Sequence, residues 1–186
     1  MRVCDIVWTP HVHKSRSEVD ALYRELEESI ALDGPHEFPV LCCAARLLET
    51  RYAVARLVGF PAGDVILDYS DVVELLLSLP AARDDLSAGR TGVLELYPGP
   101  GADHVVFYPE GDDVRLFLVP WEETAVLDRD APVPAALHAH RSTVCARGEL
   151  LARWDGFGPA FAREVVRHDP RLAGHEPIRG WSRHRP

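Results

Sequence analysis

Lysine is almost missing from this chain. Lys14 is the only one, beside 19 arginines, in 186 residues. The bias is that of GC-rich coding, as in actinobacterial genomes, and it speaks of source and not of function. Long apolar runs are missing too: none approaches the ~20 residues that a membrane helix needs. The first residues, MRVCDIVWTPHVHKSR, carry no basic start, apolar run and small-residue cleavage site of the signal-peptide kind. The expectation is a cytoplasmic protein with no membrane contact. The four cysteines, Cys4, Cys42, Cys43 and Cys145, form no C-x-x-C pair and no zinc spacing, so buried reduced thiols are expected. No G-x-S-x-G, no Walker motif, no G-x-G-x-x-G after a strand and no H-E-x-x-H occurs. Pro98-Gly99-Pro100-Gly101 is no phosphate cradle, because proline lacks the N–H that a phosphate needs and a strand follows. No cofactor is expected.

What is present is negative charge, unevenly spread. From Arg141 onward nine arginines face five acids, a charge of +4; the first 140 residues hold 11 basic and 24 acidic side chains, −13, and the whole chain stands at −9. An acidic body with a basic tail argues against nucleic acid as a partner and leaves room for a basic protein. The tail carries Arg179, Trp181, Arg183 and Arg185, a single aromatic among cations.

The clearest structural signal is residues 91–121, TGVLELYPGPGADHVVFYPEGDDVRLFLVPW. Side chains alternate across a strand. Leu94 and Leu96 oppose Val93, Glu95 and Tyr97; Val105 and Phe107 oppose His104, Val106 and Tyr108; Val114, Leu116 and Leu118 oppose Arg115, Phe117 and Val119. Turn-rich loops, 98–103 and 109–113, separate the runs and favour antiparallel neighbours. The pattern predicts an antiparallel β-meander, apolar on both faces, in a mixed or antiparallel sheet. Helices must cover at least one face, and the N-terminal helices are expected to pack on the sheet.

Elsewhere, Val3–Trp8 reads as a strand. Ser15 with Glu18, or Ser17 with Asp20, forms a capping box for a helix that Asp33-Gly34-Pro35 stops. Residues 38–60 fit a helix capped by Gly59 or a hairpin turning at Glu49-Thr50, with helix slightly favoured. Val65–Leu67 is a short strand. Ser70 or Asp71 caps a helix that Pro80 interrupts, and Ala81–Ala88 resumes as a turn or short helix. Glu122–Pro134 reads as a connecting loop. Ala135–Trp154 is a helix candidate, broken by Asp155-Gly156-Phe157-Gly158-Pro159, and Phe161, Val165 and Val166 mark a last short helix. The fold class is therefore α+β: residues 1–130 form an α+β domain, and residues 131–186 a helical C-terminal segment packed on it, with a partly ordered basic tail from about residue 169.

Candidate chemistry is sparse. The one catalytic alternative is Glu95, His104 and Tyr108, which share a strand face and could pair a general base with a phenol. The one metal alternative is His11 and His13, whose rings share a face if Thr9–His13 is extended; no second half with ligand spacing accompanies them. His138 and His140, two apart in a helix, point apart. The most suggestive cluster is acidic: Glu110, Asp112, Asp113, Glu122 and Glu123, then Asp128 and Asp130, with Trp121 as an aromatic anchor beside Tyr97 and Tyr108. In composition and architecture the chain resembles many bacterial immunity proteins and antitoxins. That likeness covers no diagnostic motif. It implies a non-enzymatic inhibitor that engages a basic toxin or effector through an acidic sheet-and-loop surface. The competing expectation is a small enzyme or small-molecule-binding domain with a pocket between sheet and helices.

Overall fold

Each alternating run meets its neighbour in register, and that turns the pattern into a sheet. The computed structural model describes residues 4–8, 14–34, 36–50, 53–59, 64–96, 103–124, 133, 137 and 139–183. Along the chain lie β1 (Asp5–Trp8), α1 (Arg16–Asp33), α2 (Glu37–Leu48), β2 (Ala55–Val58), β3 (Val65–Leu67), α3 (Tyr69–Ser87), β4 (Gly92–Leu94), β5 (Asp103–Glu110), β6 (Asp113–Pro120), α4 (Trp121–Thr124), β7 (Ser142–Ala146), α5 (Arg147–His168), a 3-10 helix at Pro170–Gly174 and α6 (Ile178–Arg183). The fold is α+β with two antiparallel sheets, ordered β1-β2-β3 and β4-β5-β6-β7. No described helix is long and apolar enough to cross a membrane. The division near residue 130 falls outside the described residues.

The meander behaves as its alternation predicts. Val93 pairs with Val106, Val106 with Phe117, and Phe107 with Leu116. One face sends Leu94, Val105, Phe107, Val114 and Leu116 into the main core. The other sends Val93, Val106, Tyr108, Phe117 and Val119 into a second, smaller cluster closed by Leu137 and Val133. The turn between β5 and β6 is two residues, Gly111–Asp112, and Gly111 holds φ +67, where a Cβ would be strained. Phe107 is fully buried and stands edge-on to Trp154 of α5 at 4.8 Å. Truncating such a phenylalanine to alanine costs about 3–5 kcal/mol.

Helix α1 starts as its sequence predicts. The Ser15 hydroxyl accepts from the Glu18 N–H, and the Glu18 carboxylate accepts from the Ser15 N–H. Residues 38–60 match neither alternative whole: helix α2 ends at Leu48, and strand β2 at Ala55–Val58 pairs with β1 and β3 and forms no hairpin with residues 40–48. Gly59 therefore follows a strand and caps no helix. α3 is capped by Asp68, not Ser70 or Asp71; Asp68 accepts from the N–H groups of Ser70 and Asp71, and Asp71 closes the box. α3 also runs straight through Pro80 to Ser87. Proline removes one helical bond and crowds the preceding turn, but Leu75, Leu76, Leu79, Ala82 and Leu86 are all buried on the same helix. That burial outweighs the local penalty.

The C-terminal third departs most from expectation. Ser142–Ala146 is a strand and not part of a helix. It pairs with β6 from Phe117↔Ser142 to Asp113↔Ala146, and so satisfies the β6 edge. α5 then runs unbroken for 22 residues through Gly156, Gly158 and Pro159. Its buried face, Leu150, Trp154, Phe157, Phe161 and Val165, keeps helical spacing across the supposed break. Gly158 has a packing reason: a Cβ there would lie 3.1 Å from the Trp181 ring of α6. The tail is built into the structure as far as Arg183, the last residue described there. Leu172 and Ile178 are fully buried. Arg171 pairs with Asp169 and Asp20 and lies over the Tyr23 ring at 4.1 Å. Trp181 packs edge-on to Phe161, so the tail's aromatic is spent on packing. Arg185 lies outside the described residues.

α5 sits where the layers converge, against α2, α3, both sheets and α6. Trp8 of β1 stacks on Phe157 at 4.6 Å and near Phe161 at 5.5 Å. That contact brings the inner face of the small sheet onto α5. The outer face of that sheet carries Val7, Arg56 and Ile66 in one cross-strand row.

Candidate functional site

Antiparallel pairing sorts the acidic residues by strand end. β5 and β6 are eight residues each, so their ends lie about 24 Å apart at ~3.4 Å per residue. At the turn end stand Glu110, Asp112 and Asp113. At the far end stand Asp103, Trp121, Glu122 and Glu123, because Asp103 pairs with Pro120. Glu95 joins them, since Leu94 pairs with Val105. The acidic run from Glu110 to Glu123 therefore forms two surfaces and not one.

The turn end is partly neutralised. Glu110 takes a bidentate pair from Arg115 at 2.7 and 3.0 Å, and Arg115 also reaches Ser142 at 3.3 Å. That pairing raises the Arg115 pKa. The Arg147 N–H donates to the Asp112 carbonyl at 2.9 Å. Asp112 itself is exposed.

The far end is held by a small hydrogen-bonded knot. Thr124 donates its hydroxyl proton to the Trp121 carbonyl at 2.7 Å and faces His104 Nδ1 at 2.9 Å. A hydroxyl has one proton, so it accepts from His104 Nδ1–H. The His104 Nε2 is buried with no partner among the described residues. Glu123 meets His140 Nε2 at 3.1 Å. Trp121 is 40% exposed and Glu122 is exposed beside it. Glu95 leaves the strand alternation: its N–H donates to Ser78 Oγ of α3 at 3.0 Å. Its charge then bears on Glu74 of the same helix, whose carboxyl is raised by burial first and by Glu95 second.

The three residues of the catalytic alternative are not drawn to one point. Glu95 turns toward α3. His104 and Tyr108 share a face but sit four residues apart, about 13 Å along the strand, with Val106 between them. Tyr108 is 2% exposed, its hydroxyl has no partner among the described residues, and burial raises its pKa. His11, His13, His138, Tyr97, Asp128 and Asp130, and the loop 98–102, lie outside the described residues. Among the described residues no group of three or more His, Cys, Asp or Glu could hold a metal ion.

Cys42, Cys43 and Cys145 are held toward the protonated thiol. Cys4, Cys43 and Cys145 are buried and Cys42 half-buried, all unbridged. Burial pushes Cys43 up to about 12 and raises Cys42. Cys145 is raised by a hydrogen bond with Cys4 and by burial.

Two recesses flank Trp154. A groove of about 460 Å³ runs between α3, α5 and α6, with Leu79, Pro80, Pro159 and Trp181 among its walls and Arg83, Asp155 and Arg163 at its polar places. A smaller cavity of about 140 Å³ lies between the two sheets and α5. Sequence reasoning passed over Glu74, Thr124 and Arg153, and it placed His140 in a helix, whereas His140 lies in the bend before β7. Only the i, i+4 spacing of Glu149 and Arg153 was a readable signal for any of them. No family model, curated protein or solved structure matches the chain.

Proposed function

We propose that this chain is a non-enzymatic protein-binding protein, of the immunity or antitoxin kind, and that it engages a basic partner through the far end of the four-stranded sheet. The observation that carries this reading is a set of carboxylates at the end of the sheet that presents an exposed tryptophan, Glu74, Glu95 and Glu122 having no ion pair among the described residues. Glu95 presses on Glu74, and Glu122 stands exposed beside Trp121. His140 serves Glu123, and Arg129, the nearest arginine in sequence, lies outside the described residues. Like charges held close raise the energy of the free protein, and a cationic partner relieves that repulsion on docking. An exposed tryptophan rimmed by polar groups is the residue type that most often anchors such contacts. The buried free thiols fit a reducing compartment, and we place the protein in the cytoplasm.

The test begins with cross-linking capture in the native host, followed by titration of the recovered partner. Glu95→Lys combined with Glu122→Lys, and separately Trp121→Ala, should each weaken binding by about 100-fold while leaving the melting temperature within a degree or two. Reversal at Asp112 should change affinity little. Equal losses from both ends of the sheet, or no loss from the far end, would defeat the proposal.

A further inference from the structure

Two helical stripes wall the groove between α3, α5 and α6. On α3, Leu76, Leu79, Pro80 and Arg83 recur at three- and four-residue spacing; on α5, Asp155, Pro159 and Arg163 recur every fourth residue. Trp181 of α6 lies against Gly158 and closes the third side. The volume, about 460 Å³, is that of a small-molecule site, and most of the lining residues are apolar. Gly156 keeps the space open. It sits inside a 22-residue helix, where glycine is a weaker former than alanine, yet a Cβ there would meet nothing within 4 Å. Gly158 answers to the Trp181 ring; Gly156 answers to no neighbour and lines the groove.

The two ends of the groove differ in charge. At one end Arg83 reaches across from α3 and holds the Asp155 carboxylate through two nitrogens. Arg163 lies eight residues further along α5, about 12 Å at ~1.5 Å per residue. It is exposed and makes no ion pair among the described residues; Glu164, its neighbour in sequence, is held by Arg167 at 2.9 Å instead. One end is therefore met within the chain, and the other offers an open cation. An exposed guanidinium at the end of an apolar trough complements a carboxylate, which it takes through two parallel N–H bonds. The apolar stretch between the two ends sets the length of the body that such a carboxylate carries.

We propose that this groove is a binding site for a carboxylic acid with an elongated apolar body of medium-chain acyl length. The body lies along Leu79, Pro80, Pro159 and Trp181, and Arg163 receives the carboxylate. The site is separate from the far end of the sheet, and its failure would leave the protein-binding reading intact.

Sodium octanoate and 1-octanol, which differ in the charged head, serve as probes on the intact chain. The readouts are the tryptophan indole N–H signals by NMR and the melting temperature. Millimolar octanoate should shift the signals of Trp154 and Trp181, which line the groove, leave Trp8 and Trp121 in place and raise the melting temperature. Arg163→Gln should weaken octanoate about tenfold and leave octanol unchanged; equal octanoate affinity in this variant and the wild type would overturn the proposal. Gly156→Leu adds a side chain where the helix tolerates one and the groove is open, and it should abolish both responses. Undiminished binding by that variant would put the acid elsewhere. Gly156 also borders the smaller cavity, which Trp8 lines and Trp181 does not, so a shift at Trp8 without one at Trp181 would move the occupant there. Indole shifts that follow protein concentration with no acid added would make a second copy of the chain the occupant. Each of these last three results overturns the proposal, as does the absence of any shift.

Discussion

The two ends of the four-stranded sheet both carry acidic residues, and they differ in how that charge is met: Glu110 has an arginine, whereas Glu95 and Glu122 have no ion pair among the described residues. At the turn end, Glu110 is gripped by Arg115 across the hairpin, and Arg147 ties its backbone to Asp112. At the far end, Glu95 and Glu74 repel one another, and Glu122 stands exposed beside Trp121. Charge that is compensated within the chain serves the fold. Charge left uncompensated costs stability, and a surface that keeps it is suited to something outside the chain. The difference rests on register and not on composition.

The comparison can be sharpened by removing the knot that shapes the far end. Thr124→Val deletes the oxygen that accepts from His104 Nδ1–H and strands a buried donor, at a cost of about 1–2 kcal/mol. Chemical denaturation should show that loss, and partner affinity should fall with it, because α4 presents Trp121. A smaller effect is expected at the turn end. Arg115→Met breaks the pair with Glu110, both groups being about a third exposed, and should cost about 0.5–1 kcal/mol. It would also leave Glu110 without its cation and make the two ends alike. If this variant gains affinity for the partner, uncompensated charge is what the partner reads.

The smallest effect concerns pH. The Glu74 carboxyl is raised in the folded chain by burial and by Glu95. The native state thus holds this proton to higher pH than the unfolded chain, and stability falls as pH climbs from the unfolded pKa to the folded one. Glu74→Gln should erase that fall. Its melting temperature should match or trail the wild type near pH 4 and exceed it at pH 7, by the equivalent of about 0.5 kcal/mol or less once solvent screening is allowed for. A difference that shrinks as pH rises would contradict the account.

The meander was legible because strand alternation is a local rule, and the faces of Val105 and Val106 followed from it residue by residue. The Ser15–Glu18 box was legible for the same reason. Pro80 and Pro159 misled because stop signals act on a single helical bond, whereas the faces of α3 and α5 bury many side chains together. Ser142–Ala146 was hidden because five residues carry little periodicity; the open edge of β6 decides their state, and that edge lies in another part of the chain. The far-end site was legible only in pieces. Trp121, Glu122 and Glu123 are adjacent in sequence. Glu74 and Glu95 are 21 positions apart, and they meet only because Ser78 of α3 receives the Glu95 N–H.

The lateness of β7 has a consequence for the order in which the chain can complete itself. Synthesis delivers β4, β5 and β6 long before Ser142, and α5 follows β7 without a connecting residue. Until about residue 146 has emerged, β6 offers a free hydrogen-bonding edge beside apolar faces, the kind of surface that recruits a neighbouring strand from another chain. One short segment therefore does two things in quick succession: it seals that edge, and it delivers the helix against which both sheets close. Between Pro120 and Ala146 that edge waits for its partner strand.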